Sequence, residues 1–530
     1  VFTGIITRNL LQPARGGAGD RPAISLENER TWTYAELAER TNRYANGLAA
    51  QGVQAGDRVG MLLSNSLEYW AMYLAITRLG AIAVRLNWRL TGAELRYALT
   101  DSGTSVLCLH GRFAATIAPV LAETPVRTSI VFVLDTDLDA DGSALPGALG
   151  QSVLEDADAS EPAAAEPSLT DPCMIMYTSG TTGYPKGALW THGQTLWFGA
   201  MQAMYWRYDE RSVHLGTTPM FHVSGFEDCV LPVLMSGGHA VMMRSTGLTI
   251  DTIVGVLQHH RCTDVFLLPA TIYQWMSWPE LDRVDVPELR RVVTGGSPIL
   301  GWAVDKIRTR FPQVRMEQAY GLTEGGAMTS VMDPERLDDH RTSVGRPLPL
   351  TEVKIVDPAT LEELPADTDG ELWTRSPSVC GVYWGKPEAT AETFVDGWCR
   401  TGDLARITAD GYIYIIGRVK DMILSGGENI YPAEIENILA DHPAIQESAV
   451  IGVPDAKWDE TPCAAIVLND GHSLTSDEVI AYCRERLAGY KRPRYVVFVD
   501  ALPRNASGKI LKRRLREEYA HLGSAAARQA

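Results

Sequence analysis

Between Tyr177 and Gly187 the chain reads Thr-Ser-Gly-Thr-Thr-Gly-Tyr-Pro-Lys, directly after a β-like apolar segment, Cys173 to Met176. A turn made only to reverse the chain needs glycines, but not a run of hydroxyls ending in Pro-Lys-Gly. Glycines let backbone N–H groups converge on anionic oxygens. The hydroxyls of Thr178, Ser179, Thr181 and Thr182 add donors, and Lys186 adds a point charge. The run therefore reads as a phosphate-holding loop at the end of a strand. It is not a Walker loop, because Gly180 and Gly183 do not give the G-x-x-x-x-G-K-[ST] spacing.

A strand feeding such a loop belongs to an α/β chain, and the rest of the sequence keeps that rhythm. The apolar run Thr31 to Tyr34 is followed by a helical stretch, Ala35 to Ala50, and then by a second strand-like run, Arg58 to Leu63. Capping boxes at Thr33 with Glu36 and at Thr91 with Glu94 mark helix starts. At 530 residues the chain exceeds one ordinary core, so a large body with a satellite is expected. Asp135 to Asp171, rich in Asp, Ala, Ser, Glu and Pro, reads as a solvated surface excursion.

The expected boundary lies where the strand-like run Tyr412 to Ile416 gives way to Gly-Arg and then to a Gly-rich turn, Ser425 to Glu428. The division is 1–416 for the body and 421–530 for the C-terminal domain, with 417–420 between them, a hinge by the resemblance given below. In that domain Ala449 to Val453, Ala464 to Leu468 and Val496 to Val499 read as strands. The fold class is α/β: a large N-terminal multi-subdomain α/β body with a small C-terminal α+β domain, which the resemblance given below implies is mobile.

The net charge of −17 repels polyanions, so no nucleic-acid partner is expected. The local basic runs, Lys491 to Arg494 and Lys509 to Arg516, read by themselves as solvated charge. No apolar run approaches a membrane span, and Val1 to Gln12 has no signal-peptide pattern. The eight cysteines form no C-x-x-C pair, which fits reduced thiols and a cytoplasmic location.

With the loop as anchor, the chain resembles the adenylate-forming superfamily, the acyl-CoA synthetases, luciferases and peptide adenylation domains whose signature loop has this pattern. The resemblance recurs along nearly the whole chain. It implies an ATP site at Thr178, Ser179, Gly180, Thr181, Thr182, Gly183 and Lys186. The same site takes in Gly295, Gly296 and Ser297 at the adenine edge. The run Glu317 to Glu324 resembles the second nucleotide motif, with Ala319, Gly321 and Thr323 in the site, Tyr320 stacking on adenine and Glu324 holding Mg2+. Thr401-Gly-Asp403 resembles the ribose motif, with Arg418 joining Asp403. Asn505 to Ile510 resembles the C-terminal catalytic motif, which makes Lys509 the residue that reaches the carboxylate and α-phosphate.

Two further resemblances concern the second half-reaction. Lys420 matches the hinge position about which the small domain turns. Gly426 and Gly427, in Ser425 to Pro432, match the turn that lines the coenzyme A tunnel; in isolation these residues read equally as a plain turn. In Pro219 to Gly225, His222 is implied to contact the carboxylate and to gate the thiol path. The acyl group is expected against Phe221, Val223, Ser224, Phe226 and Ala270, with Gly296 and Gly321 beside them. Small Val223 and Ser224 hint at an aromatic or medium-length acid.

The chemistry accounts for the residue types. A carboxylate becomes a usable electrophile once it is a mixed anhydride with AMP, and forming that anhydride brings two anions together in line. Lys509, Mg2+ on Glu324 and the loop donors offset the repulsion. The resemblance thus implies an acyl-CoA synthetase using ATP, Mg2+ and coenzyme A on a small-molecule carboxylic acid. An amide ligase passing the acyl group from acyl-AMP to an amine is the alternative, and a non-catalytic ATP sensor is a third reading. A homodimer is left open. Nothing after Lys509 reads as a carrier domain. Gln194 stands where Asn is the commoner residue of Thr-His-x-Asn, and Asp459 where Gly is usual, the latter counting against the coenzyme A assignment.

Overall fold

The computed structural model describes residues 6–132, 145–178, 184–297, 299–426, 428–504 and 510–522. Two compact units divide the chain: residues 1–353 with 374–401, and residues 354–373 with 402–530. The protein is a mixed α/β chain with a large N-terminal unit and a smaller C-terminal one.

Among the described residues two sheets lie wholly within the large unit. One, of nine strands, has at its centre Arg315–Tyr320, Arg291–Gly295, Asp264–Phe266, Val213–Gly216, His239–Met242 and Pro22–Leu26, all paired parallel. The other, of seven, runs from Leu149–Gly150 through Thr128–Phe132, Val106–His110, Arg58–Leu62, Ile82–Arg85 and Pro172–Thr178 to Lys186–Thr191. Only its last pair is antiparallel. Parallel strands covered on both faces read as unbroken apolar runs, and Val106–His110 is buried at every position. The helix Leu67–Arg78 is likewise buried all round, which explains why its sequence shows no polar face.

Both expected capping boxes form. Thr33 caps Tyr34–Ala50 and Thr91 caps Gly92–Ser102, each with its glutamate reaching back to the cap N–H. The excursion expected between Asp135 and Asp171 is corrected in its described part. Leu149–Gly150 adds an edge strand, and Ser152–Glu155 buries Leu154 completely. A Cβ on Gly47 would lie 2.6 Å from the Val153 carbonyl, so Gly47 lets this segment press on the helix Tyr34–Ala50. Buried Leu145 and Leu154, with hydrogen bonds from Asn42, Arg43 and Asn46 to the carbonyls of Ala157, Asp158, Ala159 and Ser160, hold a stretch whose composition reads as solvated.

In the small unit, Ile445–Asp455 and Asp459–Leu468 pair antiparallel, Tyr495–Phe498 adds in parallel, and Ile423–Ser425 with Glu428–Ile430 forms a hairpin. Alternation separates two faces: Val450, Ala464 and Ile466 pack with Ile435 and Leu439, while Ala449, Ile451 and Ala465 pack with Leu515. The stretch Asp403–Ile407 pairs with Ile413–Arg418, so this hairpin clusters with the C-terminal residues. The second unit therefore begins before residue 417, and the segment 417–420 lies inside it.

Candidate active site

The phosphate-loop sequence connects two antiparallel strands, with Thr178 directly opposite Lys186. Of that loop, Ser179, Gly180, Thr181, Thr182 and Gly183 lie outside the described residues. Thr178 Oγ1 donates to Glu324 Oε1 at 2.8 Å, and Tyr383 Oη donates to the same oxygen at 2.9 Å. The Lys186 ammonium sits 5.0 Å from the Tyr383 ring centroid. Burial, and after it the Glu324 carboxylate, pushes the Tyr383 phenol above its usual range, so it stays a protonated donor.

These partners meet because two parallel strands end beside the hairpin. Ligands of parallel sheets collect at the carboxyl ends of the strands, and Gly295 and Tyr320 are the last residues of Arg291–Gly295 and Arg315–Tyr320. The bend after each strand requires glycine. A Cβ on Gly321 would lie 2.0 Å from the Ala327 carbonyl, and Gly296 adopts φ +84 with nothing nearer than Leu268 Cδ2 at 3.8 Å. Gly296 and Ser297 are exposed, Ala319 is buried, and Tyr320 and Thr323 are half-buried. The structure thus brings Thr178, Lys186, Ala319, Tyr320, Gly321, Thr323 and Glu324 into one neighbourhood at these strand ends.

The segment Pro219 to Phe226 is fixed from below. Arg85, fully buried, pairs with fully buried Glu227 at 2.6 Å and donates to the carbonyls of Met220 and, at 3.2 Å, His222. Burial pushes the Glu227 carboxyl up, and Arg85 opposes it. Asn65 Oδ1 accepts the Met220 N–H at 2.8 Å while its amide donates to the Thr218 carbonyl. His222 is exposed and caps the short helix Val223–Phe226, its Nδ1 accepting from the Ser224 N–H. Gly225 is required, since a Cβ there would meet the Pro219 carbonyl at 2.3 Å.

Phe221 is nearly buried and lies edge-on to Trp88, Val223 is nearly buried, Ser224 is half-buried and Ala270 is exposed. Phe226 differs from expectation. It is wholly buried, stacked on Trp70 at 4.3 Å and against Tyr73 at 4.4 Å. A ring with no accessible surface is core, and it supports the segment from behind.

In the small unit, Asp403 and Arg418 are register partners, with Arg418 Nε 2.8 Å from the buried Asp403 carboxylate. Lys420 is exposed in the turn Val419–Asp421, whose Asp421 pairs with Arg516 at 2.7 Å. Gly426 has φ +60, and a Cβ there would lie 2.5 Å from the Trp458 ring. Gly427 and Lys509 lie outside the described residues. Arg504 and Ile510, which flank the Lys509 segment, are joined by an antiparallel bridge. The basic runs have local acids: Lys491 meets Glu434 at 2.5 Å, Arg494 meets Asp455 at 2.8 Å, and Lys512 meets Glu436 at 2.7 Å.

Sequence reasoning missed Tyr383. Its segment joins the site by backbone pairing, Leu189 N–H to the Val382 carbonyl at 3.0 Å and Trp384 N–H to the Gly187 carbonyl at 2.8 Å. The only signal in the sequence was the aromatic pair Tyr383-Trp384 ahead of Gly385. Gln194, noted as a departure, belongs here too: its Nε2 donates to the carbonyls of Val379 (2.7 Å) and Cys380 (3.2 Å).

The donor set suits a magnesium nucleotide. Both described donors to Glu324 fall on Oε1, which leaves Oε2 for a hard cation, and Mg2+ typically takes one or two carboxylates with phosphate and water as its other ligands. Among the described residues no group of three or more His, Cys, Asp or Glu is placed to hold a metal.

A hairpin whose connecting sequence has the phosphate-loop pattern, a carboxylate bonded to its Thr178 end, and a small C-terminal unit carrying an Asp–Arg pair fit a nucleotide-dependent ligase architecture. The chain belongs to the AMP-binding enzymes of the adenylate-forming superfamily: the AMP-binding enzyme family matches residues 12–384, and the AMP-binding enzyme C-terminal domain matches residues 434–509. It is 39% identical over 490 residues to a feruloyl-CoA synthase of an Amycolatopsis species, covering 92% of this chain and 94% of that one. It is 36% identical to the long-chain-fatty-acid–CoA ligase FadD13 of Mycobacterium tuberculosis, covering 92% and 93%. Among solved structures it resembles ATP-bound MatB from Rhodopseudomonas palustris, with TM-score 0.88, 30% identity and coverage of 98% and 99%.

Proposed function

We propose that this acyl-CoA synthetase activates an aromatic or medium-length carboxylic acid as its acyl-AMP, releasing pyrophosphate, and then transfers the acyl group to coenzyme A. The observation that carries the reading is the meeting of Thr178 and Tyr383 on Glu324 at the strand ends, with the Lys186 ammonium against the Tyr383 ring. The feruloyl-CoA and long-chain-fatty-acid–CoA enzymes among its relatives make thioesters, which favours coenzyme A over an amine acceptor.

In this reading the loop from Thr178 to Lys186 binds the ATP phosphates. Gly295 to Ser297 and Ala319 to Thr323 hold the base, with Tyr320 against its face, and Asp403 with Arg418 takes the ribose. Mg2+ on Glu324 supplies charge neutralisation at the phosphates. His222 faces the acid carboxylate, over a floor that Arg85 and Asn65 hold rigid, and Phe221, Val223, Ser224 and Ala270 border the acyl group. Lys509 offsets the charge of the in-line attack on the α-phosphate. Residues 417–420 form the hinge about which 421–530 turn for thioester formation, with Gly426 and Gly427 lining the coenzyme A path and Lys420 as pivot.

The eight free cysteines, all buried, agree with a reducing cytoplasm. Among the described residues no helix is long and apolar enough to cross a membrane. Homodimer formation is part of the proposal and is read by light scattering.

The test mixes purified protein, ATP and Mg2+ with aliphatic and aromatic acids, with and without coenzyme A, and reads products by mass spectrometry. AMP with an acyl-CoA supports the reading and names the acid. Acyl-AMP that ignores coenzyme A moves the acceptor to an amine, and no AMP from any acid defeats the proposal.

A further inference from the structure

Tyr383 lies between the two charged side chains described at the phosphate site. Its hydroxyl donates to Glu324 Oε1 at 2.9 Å, and its ring face lies 5.0 Å from the Lys186 ammonium. One side chain therefore touches both the anion and the cation, through two different chemistries. Its backbone is held as firmly. The Tyr383 N–H donates to Thr390 Oγ1 at 3.0 Å, and residues 382 and 384 pair with the strand that starts at Lys186.

The segment just before it is tied to the same carboxylate residue, because the Cys380 N–H donates to the Glu324 carbonyl at 3.1 Å. Gln194 secures that segment from the helix behind. Its Oε1 accepts the Thr191 N–H at 2.8 Å as part of a capping box, while its Nε2 donates to the carbonyls of Val379 and Cys380. An amide is the one common side chain of this length that can accept at the helix start and donate to two carbonyls at once.

We propose that Tyr383 is a positioning residue of the phosphate site, holding the Glu324 carboxylate by its hydroxyl and the Lys186 ammonium by its ring, and that Gln194 keeps it there by pinning the backbone at 379 and 380. The inference rests on the adenylation reading for what the site binds. It separates two contributions within one residue: the hydroxyl governs how the carboxylate meets the cation, and the ring governs how the ammonium meets the phosphates.

The test is calorimetric titration of the purified full chain with ATP, once in EDTA and once with Mg2+, for wild type, Tyr383→Phe, Tyr383→Leu and Gln194→Glu. Tyr383→Phe keeps the ring, so its ATP affinity in EDTA should stay within about twofold of wild type, whereas its gain on adding Mg2+ should shrink by about tenfold. Tyr383→Leu removes both contacts and should weaken ATP binding in EDTA as well. Gln194→Glu keeps the acceptor for the Thr191 N–H but replaces the two donated bonds with repulsion, and should reproduce the Phe pattern with Tyr383 intact. A full Mg2+ gain in Tyr383→Phe, or an equal loss with and without metal, overturns the proposal. No acid enters this measurement. If no acid yields acyl-AMP yet the Mg2+ gain falls as stated, the functional reading fails and the positioning role stands.

Discussion

Arg85 and Glu227 form an ion pair with no solvent exposure on either side chain, 2.6 Å apart, and the same guanidinium donates to the carbonyl oxygen of His222. A buried charge left without its partner is far more costly than the pair is favourable. Arg85→Met should therefore destabilise the protein by about 3 to 5 kcal/mol in chemical denaturation, by stranding Glu227. Arg85→Met with Glu227→Leu should recover most of that loss. If the double variant is as unstable as the single, packing rather than charge sets the cost.

Asp459 offers a milder case. It adopts φ +66, is exposed, and faces Ser425 across the sheet, beside Gly426 and the Trp458 ring. A left-handed backbone costs an L-residue roughly 1 kcal/mol, and glycine escapes that cost at the expense of extra freedom when unfolded. Asp459→Gly should raise the melting temperature of the small unit by a few degrees, measured by calorimetry. A lower melting temperature would show that the aspartate carries a stabilising contact.

That position was legible only through the family resemblance, in which glycine is usual where Asp459 stands, and the positive φ gives the physical reason. Helix starts at Thr33 and Thr91 were legible from the residues themselves, since a capping box is complete within four residues. The strand before the phosphate loop was visible in its apolar run and extends from Pro172 to Thr178. What stayed hidden depends on partners far along the chain. Nothing local distinguishes Phe226, in the core, from Phe221, nearer the surface, because the choice is made by Trp70 and Tyr73. Tyr383 reaches Glu324 across 59 residues and Gln194 reaches Val379 across 185, and no local pattern encodes such separations.

Asp228 gives a pH dependence of known sign. It is buried beside the Arg85–Glu227 pair with its Oδ1 accepting from Gln202 Nε2 at 2.9 Å, and burial pushes its carboxyl up to about 7. An unfolded aspartate titrates near 3.9, so between about pH 4 and 7 the folded protein binds the extra proton and stability falls as pH rises. Asp228→Asn keeps the acceptor for Gln202 and removes the titration. It should raise the melting temperature more at pH 8 than at pH 5, and equal changes at both would mean that the carboxyl is already ionised in the folded protein.

Lys509 is expected to act on adenylation alone. Removing one preorganised donor to a developing charge lowers rates by about 10² to 10³. Lys509→Ala should lose that factor in acyl-AMP formation, followed by pyrophosphate release, while its thermal melt stays that of wild type. Near wild-type adenylation would remove Lys509 from the mechanism.

The proposed pivot at Lys420 predicts that the two half-reactions can be separated there. Lys420 is exposed in the turn Val419–Asp421, close to the Asp403–Arg418 pair in sequence, and its neighbour Asp421 is tied to Arg516. Proline fixes φ and restricts the residue before it, so it permits one backbone setting at this turn and obstructs a second. If the small domain must turn here between the two steps, Lys420→Pro should form acyl-AMP at a rate close to wild type yet fail to release acyl-CoA. Supplying preformed acyl-AMP with coenzyme A isolates the second step, which should remain blocked. Equal loss of both steps would place the pivot elsewhere and leave Lys420 an ordinary surface residue.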